Sequence, residues 1–313
     1  MVPGGRQTPA RYPVGVKTAV LFFSLCLPAL ADLAAGLLAL QNGDYEAAVN
    51  EFTPLAKKGD SVAQFHLGIL YHEGQGVPRD YKEAMHWFRV AADQGEPSAQ
   101  FNLGAMYHEG QGTPRDDKEA MWWFRLAADQ GEPSAQYNLG VMYQQGQGAA
   151  KDYKEAMHWY VMAADQGNAS AECNLGVMYL KGWGVTEDDD EAMRWLKLAA
   201  ERGDMHAEFS LGLMYAAGQG VAADAKEAVR CFQAAADQGE PSAQYNLGVM
   251  YRKGRGVPED LVQAYLWFEL AGLDGQSDGD TERDKLATGM TSDQIAQARQ
   301  LAKAWKPKPA REN

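Results

Sequence analysis

The chain has 313 residues, 46% of them hydrophobic, and a formal net charge of −13. So much apolar sequence can bury a substantial core, while the acidity argues against nonspecific binding to nucleic acid or anionic lipid, both of which would repel it. The first 31 residues carry Arg6, Arg11 and Lys17 and no carboxylate, so the remainder stands at −16.

At the amino terminus, basic residues lead into an apolar run from Thr18 to Leu27, followed by Pro28 and Ala29-Leu30-Ala31. Charged region, apolar region and small-residue cleavage site occur in that order in a secretory signal. The run is short for a membrane span. Residues 1–31 are therefore expected to be a signal peptide cleaved after Ala31, leaving an exported, most simply periplasmic, chain with no membrane insertion. Cys26 offers a lipoprotein alternative, which the bulky Leu25 before it fits poorly.

Residues 32–60 contain Asp44-Tyr45 and Gly59, in step with Asp80-Tyr81 and Gly95, and read as a degenerate first pair of helices. From residue 61 the sequence repeats. Leu-Gly recurs at Leu67-Gly68, Leu103-Gly104, Leu139-Gly140, Leu175-Gly176, Leu211-Gly212 and Leu247-Gly248, always 36 residues apart. A Gly-x-Gly element keeps step from Gly74/Gly76 to Gly254/Gly256, and so does a large residue: Trp87, Trp123, Trp159, Trp195, Cys231, Trp267. A fixed period of this length is the signature of a stacked array. The expected fold class is all-α, six full repeats over 61–276.

Residues 97–132 show the unit. Pro97 suits a first helical turn, where its missing N–H is harmless. Ala99, Leu103, Met106 and Tyr107 then recur at helical spacing, and Gly110 fits a left-handed cap. After the loop Gly110-Gln111-Gly112-Thr113-Pro114, a second helix carries Ala120, Trp123, Phe124, Ala127 and Ala128 and closes at Gly131. The small Gly104 and the Ala127-Ala128 pair let helices approach, while Trp and Tyr fill the space between repeats. The phase fails after Gly275; Thr291-Ser292-Asp293-Gln294 reads as a capping box opening a final helix, about 292–304, within a C-terminal cap at 277–305. Residues 306–313 are expected to be a disordered tail.

Few residues carry chemistry that the repeat does not absorb. The Gly-x-Gly loops lack a preceding strand, a third glycine and a following Gly-Lys-Ser/Thr, so they read as helix termination, not phosphate binding. His72 and His108 lie one period apart, but Gln144 and Leu180 take their place in the next repeats, and no metal site or cofactor is expected. Asp116-Asp117 and Glu187-Asp188-Asp189-Asp190 stand at starts of second helices, where negative charge complements the dipole. Cys173 and Cys231 replace large apolar residues and read as buried thiols, with a disulfide as the alternative.

Binding candidates come from the outward positions. On a helical wheel Ser98, Asn102 and Glu109 fall together, away from the Ala99–Leu103–Tyr107 face. The Asn102 position reads His66, Asn102, Asn138, Asn174, Ser210, Asn246. Asparagine there could grip an extended peptide backbone, or form a ladder between neighbouring repeats. The Glu109 position runs from acidic to basic: Glu73, Glu109, Gln145, Lys181, Ala217, Lys253. Trp122 stands where His86 and His158 stand in flanking repeats, and Trp183 replaces the glutamine of its Gly-x-Gly loop; each is either a binding anchor or packed over an adjacent loop.

The pattern Ala135, Leu139-Gly140, Tyr143, Gly146-Gln147-Gly148, Asp152, Glu155-Ala156, Trp159, Ala163-Ala164 and Gly167 resembles the Sel-1-like repeat, a subclass of tetratricopeptide-type helical hairpins. Ala149 departs from the usual Val, which Val77 and Val257 keep. The resemblance implies a right-handed superhelical solenoid whose first helices line the concave surface, and an adaptor or scaffold that binds protein or peptide partners, often at the cell envelope. The cap sequences look like those of exported bacterial members. A non-catalytic monomer is expected. The alternatives are a cell-wall peptide or glycan binder and a β-lactamase-type hydrolase. Relatives of the latter type carry a regular cysteine pair in each repeat, which this chain lacks, and no Ser-x-x-Lys occurs in it.

Overall fold

The computed structural model describes residues 32–273 and 275–309; the expected signal peptide lies outside the described residues. Sixteen α-helices and no strand occur among them. The chain divides into two compact units, residues 1–127 and 128–313.

The first unit holds α1 (32–41), α2 (Tyr45–Lys57), α3 (Ser61–Glu73), α4 (Tyr81–Ala92), α5 (Pro97–Glu109) and most of α6 (Asp117–Asp129). Local chemistry sets the ends of each helix. The Asp80 carboxylate accepts from the backbone N–H groups of Lys82 and Glu83 at 2.9 and 3.2 Å and so opens α4. Asp116 does the same for Lys118 and Glu119 in α6, and such a cap is worth about 0.5–2 kcal/mol. Helix α5 starts on Pro97 and stops at Gly110, whose φ of 71° is left-handed and whose N–H donates to the Met106 carbonyl. The Asp116 N–H then donates to the Tyr107 carbonyl at 2.8 Å, so the loop is tied at both ends.

Two glycines set the packing. A Cβ on Gly104 would lie 2.8 Å from the Phe124 ring, so α6 lays that ring on bare backbone of α5. Gly112 has φ 75°, and a Cβ there would lie 2.6 Å from the Tyr81 carbonyl oxygen at the start of α4. The Gly-x-Gly element thus ends a helix with its first glycine and seats the loop on the preceding repeat with its second.

The degenerate amino-terminal pair is a repeat with a shortened loop. Only residues 42–44 join α1 to α2, against 74–80 between α3 and α4. Gly36 meets Phe52 as Gly68 meets Phe88, although the contraction removes Gly36 from the 36-residue phase. The core of this unit includes a cluster around Phe52, Leu55, Leu67 and Leu70 and another around Phe88, Leu103, Met106 and Trp123. Trp123, 1% exposed, packs on residues of the repeat before its own.

The second unit contains the end of α6, then α7 (Pro133–Gln145), α8 (Tyr153–Ala164), α9 (Ala169–Lys181), α10 (Asp189–Glu201), α11 (Met205–Ala217), α12 (Ala225–Asp237), α13 (Pro241–Lys253), α14 (Leu261–Leu273), α15 (Ser277–Ala287) and α16 (Ser292–Ala304). The same caps and turns recur through α14. Beyond it the structure adds a helix that the broken phase concealed. Ser277 follows Pro241 by one period, Gly279 stands for Ala243 and Arg283 for Leu247, so α15 is a degenerate first helix. Arg283 pairs with Glu269, Asp280 and Asp284 at 3.0, 2.6 and 2.8 Å, which puts ion pairs where a further repeat would need apolar surface.

Helix α16 opens on the expected capping box, with Thr291 and Gln294 satisfying each other's backbone N–H. Arg299 donates to the Tyr265 hydroxyl at 3.1 Å, and the Trp305 ring stands 6.5 Å from that of Trp267, nearly perpendicular. The Lys308 N–H donates to the Asp237 carbonyl at 2.7 Å and its ammonium to the Asp237 carboxylate at 2.6 Å. Residues 310–313 lie outside the described residues.

Candidate functional site

The asparagine position is half-buried in every repeat. Asn102 and Asn246 donate back to the carbonyls of Ser98 and Ser242 at 2.7 Å, one turn earlier in their own helices. Ser210 does likewise to His206, and His66 stacks on Phe52 with centroids 5.2 Å apart. Asn174 instead reaches the hydroxyls of Tyr137 and Tyr160 in the preceding repeat, opposing the rise that burial imposes on both phenol pKa values. Asn138 is half-buried on α7. The position therefore satisfies itself within a helix at some repeats and bridges repeats at one.

The Glu109 position is exposed throughout. In the first unit Glu73 accepts from His72 at 2.7 Å and Glu109 from Gln111 at 2.7 Å. In the second unit the position holds Gln145, Lys181, Ala217 and Lys253, all solvent-facing. Trp122 is 53% exposed, touching the buried Trp123 edge-on at 4.3 Å. Trp183 is half-buried and stacks on Tyr153 at 5.3 Å and 14°, so the structure places it over the start of α8. The same loop position holds Gln111, which bonds His72 at 2.7 Å, and Gln219, which bonds Asp189 at 2.8 Å. This is a contact to the previous repeat, and Trp183 makes it with a ring.

A buried polar column escapes the sequence pattern. Gln64, Gln100, Gln136, Glu172, Glu208 and Gln244 are all buried. The Gln136 amide donates to the Ala128 carbonyl at 3.1 Å while Gln166 donates to its oxygen at 2.8 Å; Gln64, Ala56 and Gln94 repeat the arrangement. In the fourth repeat the pair becomes Glu172–Arg202, 3.1 Å apart. Burial raises the Glu172 pKa, and Arg202 opposes the rise. The available signal was a glutamine between apolar neighbours on a core-facing turn, as at Ala99-Gln100.

The fourth repeat also breaks the aromatic pairing of the others. Phe101–Phe124 and Tyr137–Tyr160 rings meet at 5.7 and 5.9 Å, whereas the corresponding residues in the fourth are Cys173 and Leu196. Cys173 and Cys231 are free thiols. Burial pushes the Cys173 thiol well above its ordinary value and that of Cys231 up to about 11, so neither supplies an activated thiolate. Among the described residues no group of three or more His, Cys, Asp or Glu is placed to hold a metal. No helix there is long and apolar enough to cross a membrane.

Repeated helical hairpins, closed by glycine turns and, within each unit, seated on the one before, define a tetratricopeptide-like repeat protein. The Sel1 repeat pattern matches residues 61–96, 97–132, 133–168, 169–204, 206–240 and 241–276, and the chain belongs to the Sel1 repeat family. It is similar in structure to the Sel1 repeat protein from Oxalobacter formigenes, with 36% identity and a TM-score of 0.72 over 82% of this chain and 76% of that one. It also resembles c5321, a protective antigen present in uropathogenic Escherichia coli strains displaying an SLR fold, with 26% identity and a TM-score of 0.50 over 93% and 94%. No curated protein matches the chain. The Sel1 repeat fold is generally non-catalytic and commonly serves protein–protein interaction.

Proposed function

We propose that this chain is a non-catalytic scaffold of the cell envelope, exported to the periplasm, that holds a protein or peptide partner on its repeat surface. One observation carries the reading. The buried columns stay nearly constant from repeat to repeat, whereas the exposed residue ending each first helix changes from Glu73 and Glu109 to Lys181 and Lys253. A constant frame with a varied charged surface suits selection of a partner by charge, since exposed charges govern specificity and association more than raw affinity. Trp122, large and exposed beside this frame, is the aromatic anchor of the proposal. Export rests on the apolar run and Ala29-Leu30-Ala31 of the amino terminus.

Crosslinking in envelope preparations, followed by identification of captured proteins, tests the scaffold. Reversing Lys181 and Lys253 to Glu should weaken capture by roughly tenfold, about 1.4 kcal/mol, with the loss shrinking as salt rises. Unchanged capture would remove the charged stripe from the proposal. Purified protein should show no turnover of a chromogenic β-lactam, and sustained turnover would overturn the non-catalytic reading.

A further inference from the structure

The tryptophan column is interrupted once, at Cys231, and the structure holds a cavity there. In the first unit the buried Trp123 indole packs against Ala92 and Leu103 with the Arg89 guanidinium 4.9 Å from its ring. Three periods on, the matching residues are Ala200, Leu211, Lys197 and, in place of the indole, Cys231. These four, with Tyr215 and Ala234, line an open cavity of about 520 Å³ among α10, α11 and α12. That lies within the range of about 300–1,000 Å³ usual for small-molecule sites. Trp195 and Trp267, the column members on either side, each pack on the repeat preceding their own. At Cys231 the indole is missing and Leu126 of the first unit has become Ala234, while the alanine, leucine and tyrosine walls and the cation are retained; Glu201, Glu208, Glu227 and Arg230 form the charged part of the lining.

We infer that this cavity is a receptor for the tryptophan side chain of a bound peptide, which supplies in trans the ring that Trp87, Trp123, Trp159, Trp195 and Trp267 supply in cis in the other repeats. The shape argument is direct, since Ala92, Leu103 and Tyr107, the counterparts of Ala200, Leu211 and Tyr215, pack around an indole in the first unit. The chemical argument is the cation: Lys197 stands where Arg89 faces the Trp123 ring, and a cation over an indole face is attracted by the ring's negative π surface. The site rests on the scaffold reading and narrows it to a partner with an accessible tryptophan.

The probe is N-acetyltryptophanamide, added to the intact protein and followed by calorimetry and by alkylation of Cys231 with N-ethylmaleimide, mapped by mass spectrometry. Saturable binding is expected, with Cys231 alkylation about tenfold slower at a probe concentration ten times Kd, following 1 + [L]/Kd. N-acetylalaninamide should give no protection. Cys231→Trp should refill the column, raise Tm and abolish probe binding. No saturable binding and no protection in the wild-type protein, or unchanged binding in Cys231→Trp, would overturn the proposal. The protection experiment needs no variant, so it decides the matter even if Cys231→Trp fails to fold. If Cys231→Trp loses the probe but keeps the crosslinked partners of the wild-type chain, the scaffold stands and this cavity is not its peptide site. If the wild-type chain crosslinks to no partner while binding the probe, the scaffold reading falls and the cavity remains a ligand site.

Discussion

Glu172 occupies a fully buried position that Gln64, Gln100, Gln136 and Gln244 fill in other repeats, and its carboxylate is held by Arg202, itself 45% exposed. Burial raises its pKa in the folded chain, so the protonated form favours folding. Its contribution is complete below the unfolded carboxyl value and fades as pH rises through the raised folded value. Glu172→Gln should therefore stabilise the protein at neutral pH and flatten the dependence of Tm on pH above the ordinary carboxyl range; an unchanged profile would contradict the raised pKa. Arg202→Gln alone exchanges the cation for a neutral amide donor, as in the Glu208–Gln238 pair of the fifth repeat, and should cost about 1 kcal/mol in urea denaturation. The double variant recreates the Gln136–Gln166 pairing and should recover most of that loss.

At the scale of the element, the loop between paired helices bears as much of the fold as the helices do. Gly112→Ala would place a methyl against the Tyr81 carbonyl at a left-handed φ of 75°, and should destabilise the first unit by about 1–3 kcal/mol. Gln111→Ala, at the neighbouring position, removes only side-chain bonds to His72 and Glu109 and serves as the mild control. The carboxyl-terminal elements follow another logic. Truncation after Ala304 removes the Trp305 ring beside Trp267 and the Lys308 contacts to Asp237, and should lower the Tm of the second unit while leaving helical content nearly unchanged. An unaltered Tm would show that the segment lies on the surface without holding it.

For the molecule as a whole, stability in a repeat array is close to a sum of terms within repeats and between neighbours. Excising residues 169–204 removes one matched unit and rejoins Asn168 to Met205 in phase. The shortened chain should fold with helical content reduced in proportion and a lower midpoint in urea. Excision of a segment out of register, such as 175–204, should abolish cooperative unfolding, because the glycine loops would no longer meet the helix starts they seat on. Cooperative folding of the misregistered chain would refute the role given to those loops.

Much of this was legible before any coordinate. The 36-residue period, the glycine caps, Asp116 at a helix start and the capping box at Thr291 follow from local rules, because a cap or a turn involves residues a few positions apart. The shortened first loop and α15 were not legible, since a four-residue contraction and an exchange of Leu247 for Arg283 each break the periodicity that revealed the rest. Likewise the asparagine column could be identified but not interpreted. Asn102 turns back to its own helix while Asn174 reaches the previous repeat, and the tyrosines within reach decide which. The sequence by itself determined the repeat, its register and its helix ends. Only the tertiary structure decided that Trp183 is stacked, Trp122 exposed and Cys231 the margin of a cavity, because those outcomes depend on the neighbouring repeat's side chains and not on residues nearby in the chain.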